Sequence, residues 1–264
     1  MAQTGQLTQA PAALPGLSRV TLLRIAIVVT ILVVWEATAA SGLLFRDVVP
    51  SLVVIVRALW NLLFEPDFYW HLGVTAGEVG TALLIGGLAG LAVGIALGAN
   101  RFLSQAFEHF LYYLGPTPKI IFFPVMIMWF GVGSGSKVAM GTISCFFPIA
   151  LSVAAGMRQI DQVLIRVGRS FRANTWQMVT KVYLPAMRAP IINGVRLGLG
   201  VAIIGTLLAE TKLSNRGVGF LIINSYSTFN MPRMYSLLIV VFVLAIGANA
   251  VVSRLGNLEA IKTR

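Results

Sequence analysis

The side chains of this chain that could do chemistry are few and scattered. His71 and His109 fall in different loops, so they cannot share a metal, and no metal site is expected. The stretch Gly131-Val132-Gly133-Ser134-Gly135-Ser136-Lys137-Val138 has the glycine and lysine content of a phosphate loop. It lacks the Gly-Lys-Ser/Thr ending through which such a loop grips phosphates and Mg²⁺. It reads as a flexible turn, and the chain is expected to bind no nucleotide or other cofactor itself. Cys145 is the single cysteine, which excludes an intrachain disulfide framework. Two acids, Glu36 and Glu210, stand in or beside apolar runs. Such an acid serves either a pathway or a neighbouring helix by hydrogen bonding. For Glu36 the structural role is favoured.

The elements that hold these residues are membrane helices. Of 264 residues, 57% are hydrophobic and 11% charged, with a mean hydropathy of +0.85. Soluble domains carry roughly a quarter charged residues, and a bilayer core takes about 20 apolar residues per helical span. Six runs qualify: Ile25–Leu44, Val79–Ala99, Leu111–Phe130, Val138–Gly156, Ile191–Ala209 and Tyr235–Ser253. The third is interrupted at its start by Pro116, Pro118 and Lys119. Long apolar runs favour a helical bundle over a barrel. With the N-terminus inside, the twenty Lys and Arg divide fourteen to six in favour of the inner side, Lys119 among the fourteen. The positive-inside rule then puts both termini in the cytoplasm and accounts for the net charge of +11 without nucleic acid. The expected organisation is a cytoplasmic tail over residues 1–24, its first 18 residues disordered, a membrane domain over 25–255 and a short tail over 256–264. Residues 51–64 read as an amphipathic helix on the outer surface.

Gly86, Gly90, Gly94 and Gly98 recur every fourth residue and line one face of the second span. This pattern lets a second helix approach closely. Thr142, Ser144, Asn193 and Thr206 are small polar residues in spans. They could line a pathway, and such groups more often hydrogen-bond between helices.

The longest inner loop, 157–190, has six basic residues and one acid, Asp161. Ile160, Val163, Leu164, Val167 and Phe171 recur near helical spacing. A second run includes Trp176, Met178, Val179, Val182 and Tyr183, and Pro185 ends it. Two short helices around a turn at Arg172–Asn174 are expected. Such a hairpin is either a docking surface or a pair of helices lying in the headgroups.

From Leu164 to Pro185 the chain resembles the cytoplasmic motif E-A-A-x3-G-x9-I-x-L-P of binding-protein-dependent importer permeases. Aligning Leu184-Pro185 places Val182 at the Ile, Arg172 at the Gly and Arg166-Val167-Gly168 at E-A-A. Phe123-Pro124-Val125, Met128-Trp129-Phe130-Gly131, Phe147-Pro148-Ile149, Gly194-Val195-Arg196, Ala209-Glu210-Thr211 and Gly217-Val218-Gly219-Phe220-Leu221 are similar to the nitrate, sulfonate and taurine branch. The resemblance implies an all-α membrane protein of about six transmembrane helices, with a cytoplasmic coupling-helix hairpin between spans four and five. It implies a bacterial inner-membrane location and a homodimer with a second permease copy. Two cytoplasmic ATPase subunits would bind ATP and Mg, and a periplasmic solute-binding protein would deliver a small, anionic solute. It assigns ATPase coupling to Arg166, Val167, Gly168, Arg169, Ser170, Phe171, Arg172, Ala173, Asn174, Trp176, Leu184 and Pro185. Glycine suits a turn needing positive φ; with Arg172 in its place, the turn is expected to shift toward Asn174, which tolerates that conformation better. The competing class is an ion-coupled secondary carrier, which would show more intramembrane ionisable groups and an internal repeat.

Overall fold

The computed structural model describes residues 19–42 and 48–261, so the expected disordered segment at 1–18 lies outside the described residues. The chain divides into two units, residues 1–56 and 57–264.

In the first unit, helix α1 (Arg19–Ser41) starts six residues before the expected span. Glu36 Oε2 accepts from the Leu52 N–H at 2.9 Å, and the Trp35 indole N–H donates to the Pro50 carbonyl at 3.1 Å. Leu52 opens helix α2 (Leu52–Leu63), so Glu36 satisfies one of the orphan donors of that helix start. This geometry supports the structural role for Glu36.

The second unit is built on three long helices. Helix α3 (Pro66–Ala99) is 34 residues long, and α6 (Ser134–Arg158) and α10 (Arg188–Lys212) have 25 residues each. At about 1.5 Å per residue, 25 residues reach about 37 Å, enough to cross a hydrocarbon core of about 30 Å. Between α3 and α6 lie α4 (Arg101–Leu114), a 3₁₀ turn (Lys119–Phe122) and α5 (Phe123–Phe130). After α6 come α7 (Gln162–Ser170), α8 (Thr175–Gln177), a π-helical stretch (Met178–Tyr183) and α9 (Leu184–Ala186). Helices α11 (Val218–Ser227) and α12 (Met231–Ile261) follow α10.

Helix α6 is the centre of the core, with Cys145, Ile149, Val153 and Met157 packed against Val79 of α3 and Leu199 and Ala202 of α10. The α3 glycines make this possible. A Cβ on Gly94 would lie 2.6 Å from Val153 Cβ and 2.7 Å from the Ala150 carbonyl, and one on Gly90 would lie 2.9 Å from the Phe146 carbonyl. Gly86 faces Cys145 and Thr142, and Gly98 faces Met157. The every-fourth-residue row of α3 thus runs along an every-fourth-residue row of α6 carbonyls, as the spacing implied.

Several boundaries differ from the sequence expectation. The run Leu111–Phe130 is not one helix: α4 and the Lys119–Phe130 segment meet at 92°. Pro116 and Pro118 supply no N–H and disfavour helix in the preceding residue, which breaks the chain there. Among the described residues, five helices are long and apolar enough to cross a membrane, six if the bent pair counts as one span. His71 and His109 lie in helices α3 and α4, not in loops. Of the phosphate-loop-like stretch only Gly131–Gly133 is a turn, with Gly131 at φ +74°; Ser134–Val138 forms the first turns of α6.

Candidate functional site: a docking hairpin, a latched end and a mid-depth cavity

The hairpin between α6 and α10 is built from local signals. Asp161 caps α7 by accepting from the Val163 N–H at 2.8 Å. At the far end of α7 the Ala173 N–H bonds the Gly168 carbonyl at 3.1 Å and the Arg172 N–H bonds the Arg169 carbonyl at 2.9 Å. This is a Schellman ending, which requires a left-handed residue just past the helix. Arg172 takes that role at φ +52°. The expected shift toward Asn174 does not occur, because Asn174 has another task. Its Oδ1 accepts from the Gln177 N–H at 2.8 Å while Gln177 Oε1 accepts from the Asn174 N–H at 2.9 Å, a capping box that starts α8. A residue acting as N-cap keeps extended backbone, and Asn174 has φ −72°.

The two arms touch where Gly168 meets Met178, whose Sδ would lie 2.6 Å from a Cβ at 168. Ile160, Ile165, Tyr183 and Met187 tie the hairpin base to Val153 and Met157 of the core. Arg158, counted with the loop cations, is paired with Glu108 of α4 at 2.7 Å. The tip is left open: Phe171 is 82% exposed and Trp176 73%. Arg166, Arg169, Arg172, Val167, Ser170 and Pro185 are exposed with them, while Gly168, Ala173 and Leu184 are half-buried. Large exposed aromatics beside arginines are the composition of an interface centre.

At the other end of α10 the chain does the reverse. Glu210 is fully buried. Its Oε1 accepts from the Thr75 hydroxyl at 2.7 Å and its Oε2 from the Gly219 N–H at 2.6 Å. Thr75 Oγ1 in turn accepts from the Val218 N–H at 2.8 Å, and His71 Nδ1 accepts from the Gly217 N–H at 3.0 Å. His71 therefore carries its proton on Nε2, 3.4 Å from an Asp67 carboxylate oxygen. Three successive N–H groups at the start of α11 are thus held by α3 and α10. Gly217, at φ +95°, sits against the Glu210 carboxylate where a Cβ has no room. Lys137, 1% exposed, bonds the Val132 and Leu213 carbonyls and lies near Glu78 and Glu210. Glu210 thus ties α10 to Thr75 of α3 and to the start of α11, and the residues gathered around it lie far apart in sequence.

The remaining pathway candidates are not brought together. Thr142 points toward the Ala82 carbonyl of α3 at 3.4 Å, Thr206 is buried against Gly141, and Asn193 is exposed near the start of α10. Ser144 alone lines an open cavity of about 550 Å³, bounded by the α4–α5 bend, α6 and α10. Its hydroxyl donates to the Met140 carbonyl at 2.7 Å. Lys119 also lines this cavity, beside Phe147. Phe147 lies thirteen residues from one end of α6 and eleven from the other. Lys119, which the charge count put with the inner-side residues, therefore lies beside the middle of α6. The cue was present in the sequence, as a lysine directly after Pro116 and Pro118.

Long apolar helices packed through glycine rows, with an open-tipped hairpin between two of them, define a polytopic membrane protein. The chain belongs to the family of binding-protein-dependent transport system inner membrane components, whose model matches residues 82–258. It is the permease subunit of an ABC importer, and nucleotide binding and hydrolysis belong to a partner ATPase chain. It is 28% identical over 210 residues to a Bacillus subtilis (strain 168) protein named as an aliphatic sulfonates transport permease, SsuC, covering 80% of this chain and 76% of that one. It is also 28% identical over 248 residues to the taurine transport system permease protein TauC of Escherichia coli (strain K12), covering 90% of each. Among solved structures, a chain of the inward-facing MetNI methionine ABC transporter shares the fold at a TM-score of 0.62 and 20% identity, covering 78% of this chain and 95% of that chain. Family membership sets aside the ion-coupled carrier.

Proposed function

We propose that this permease carries a small anionic solute of the sulfonate, nitrate or taurine kind, released to it by a periplasmic binding protein. It works as one of two identical copies, each docking an ATPase through α7–α9 on the cytoplasmic side, with both termini on that side. The observation that carries the docking is the hairpin itself: exposed Phe171 and Trp176 among Arg166, Arg169 and Arg172, on a base fixed to the core. A lever must be rigid where it joins the moving helices and open where it is pushed. The depth of the molecule supports the sidedness. The 22 helical steps from Arg188 to Glu210 span about 33 Å, long enough to put the hairpin and the Glu210 latch on opposite sides of a bilayer. The relatives named for sulfonates and taurine support the anionic solute, since taurine is itself an aminosulfonate.

Arg166 occupies the position where the family motif has an acid, so the ATPase groove that meets it is acidic. Arg166→Glu in the reconstituted complex tests this. The expected result is loss of binding-protein-stimulated ATP hydrolysis with the chain still folded. Unaltered stimulation would refute the docking.

A further inference from the structure

Lys119 is a cation beside the middle of the membrane helix α6 with no carboxylate partner: the ion pairs among the described residues are His71–Asp67, Arg158–Glu108 and Arg233–Glu65. A lysine at the centre of a membrane helix is disfavoured by about 2.5–3.5 kcal/mol on insertion scales and marks a functional site by default. The local structure explains how it is tolerated. Its Nζ bonds the Gly115 carbonyl and, at 3.3 Å, the Thr117 carbonyl, both freed by the break between α4 and α5, and it lies 5.1 Å from the centre of the Phe147 ring. An ammonium has three donors, and these two carbonyls use two. Water or a hydroxyl could cap the same carbonyls without a charge, so capping alone does not account for a lysine.

The surroundings point to a ligand. Broken backbone at membrane depth is tolerated where it lines a cavity, and in transporters such breaks form substrate sites near the midplane. Here Lys119 opens the helical segment that runs on into α5, so the positive end of that segment and the ammonium share one place. The cavity volume of about 550 Å³ falls within the range of small-molecule sites, about 300–1,000 Å³. Its other walls are apolar: Phe147, Pro148, Leu151, Val201, Ile204 and Leu208 contribute. Among the described residues, Lys119 is the only charged side chain that lines it.

We infer that this cavity is a transient binding site in the translocation pathway, and that Lys119 selects there for an anion with a small apolar body, such as a short alkanesulfonate. The inference rests on the importer function proposed above and names the site at which the solute is recognised. Apolar walls hold the alkyl part, and the ammonium with the helix end holds the anionic head. A site of this kind is shallow, because a pathway must release what it binds.

The test uses the full chain with its ATPase in nanodiscs and a reporter thiol, Ser144→Cys, inside the cavity, with Leu208→Cys as a second reporter. Labelling by neutral methyl methanethiosulfonate is timed with and without ethanesulfonate, and with the neutral ethyl methyl sulfone as control. Ethanesulfonate is expected to slow labelling and the sulfone is not. Lys119→Gln is expected to raise the half-protecting concentration about thirtyfold, and Lys119→Arg to preserve protection. A purely structural lysine would leave the protection by ethanesulfonate unchanged in every variant that still assembles. No protection at either reporter, or equal protection in Lys119→Gln, overturns the inference while ATPase docking and stimulated hydrolysis remain intact. Loss of docking in the parent chain would instead overturn the importer function on which it rests.

Discussion

At its C-terminal end α10 buries Glu210 completely and uses both carboxylate oxygens to hold neighbouring elements. The hairpin leading into its N-terminal end leaves Phe171 82% and Trp176 73% exposed. One end turns its polar groups onto its own chain, and the other leaves large aromatic side chains open. Both ends are tied to the same α3–α6–α10 core, whose glycine rows leave no slack. The contrast agrees with the docking proposed above: the open end is where a partner would push, and the closed end is joined to it through the same packed helices.

The largest effect expected is at the closed end. Glu210→Ala leaves the Gly219 N–H and the Thr75 hydroxyl buried without acceptors, which costs about 3 kcal/mol. It should lower the thermal unfolding midpoint in detergent, and Glu210→Gln, which keeps an acceptor, should lower it less. An unchanged midpoint would mean that the latched end is not latched. At the open end the effect moves from folding to binding. Phe171→Ala is expected to leave the unfolding midpoint in place and weaken ATPase docking by about 2 kcal/mol, roughly thirtyfold in the dissociation constant. A fall in the midpoint with docking intact would reverse the comparison. The smallest effect is at the turn. Arg172→Gly removes the left-handed strain of a residue with a Cβ and should stabilise the hairpin by at most about 1 kcal/mol. Hydrogen exchange at the Arg172 and Ala173 amides reads this directly, since both bonds belong to the Schellman ending.

These differences also explain what could be read from the sequence. The glycine face of α3 was legible because Gly86, Gly90, Gly94 and Gly98 declare a helical period without help from any other segment. The hairpin was legible because Leu184-Pro185 and two amphipathic runs are local signals. The identity of its left-handed residue was not, since propensity favours Asn over Arg, and only the capping box shows that Asn174 is committed elsewhere. The latch was invisible for a different reason: Thr75 and Glu210 are 135 residues apart, and nothing in either neighbourhood names the other. The prolines near 116 announced an interruption but not its angle. At the bend of 92°, Lys119 lies against Phe147 near the middle of α6.

The sidedness and availability of Phe171 test the central claim most directly. Phe171→Cys, with the buried Cys145 as a silent background, is treated with a membrane-impermeant maleimide in intact spheroplasts and in inverted vesicles. Docking of the hairpin on a cytoplasmic ATPase predicts labelling in inverted vesicles stripped of the ATPase, protection when the ATPase is added back, and none in spheroplasts. Labelling from the outer side, or labelling that the ATPase leaves unprotected, would contradict it.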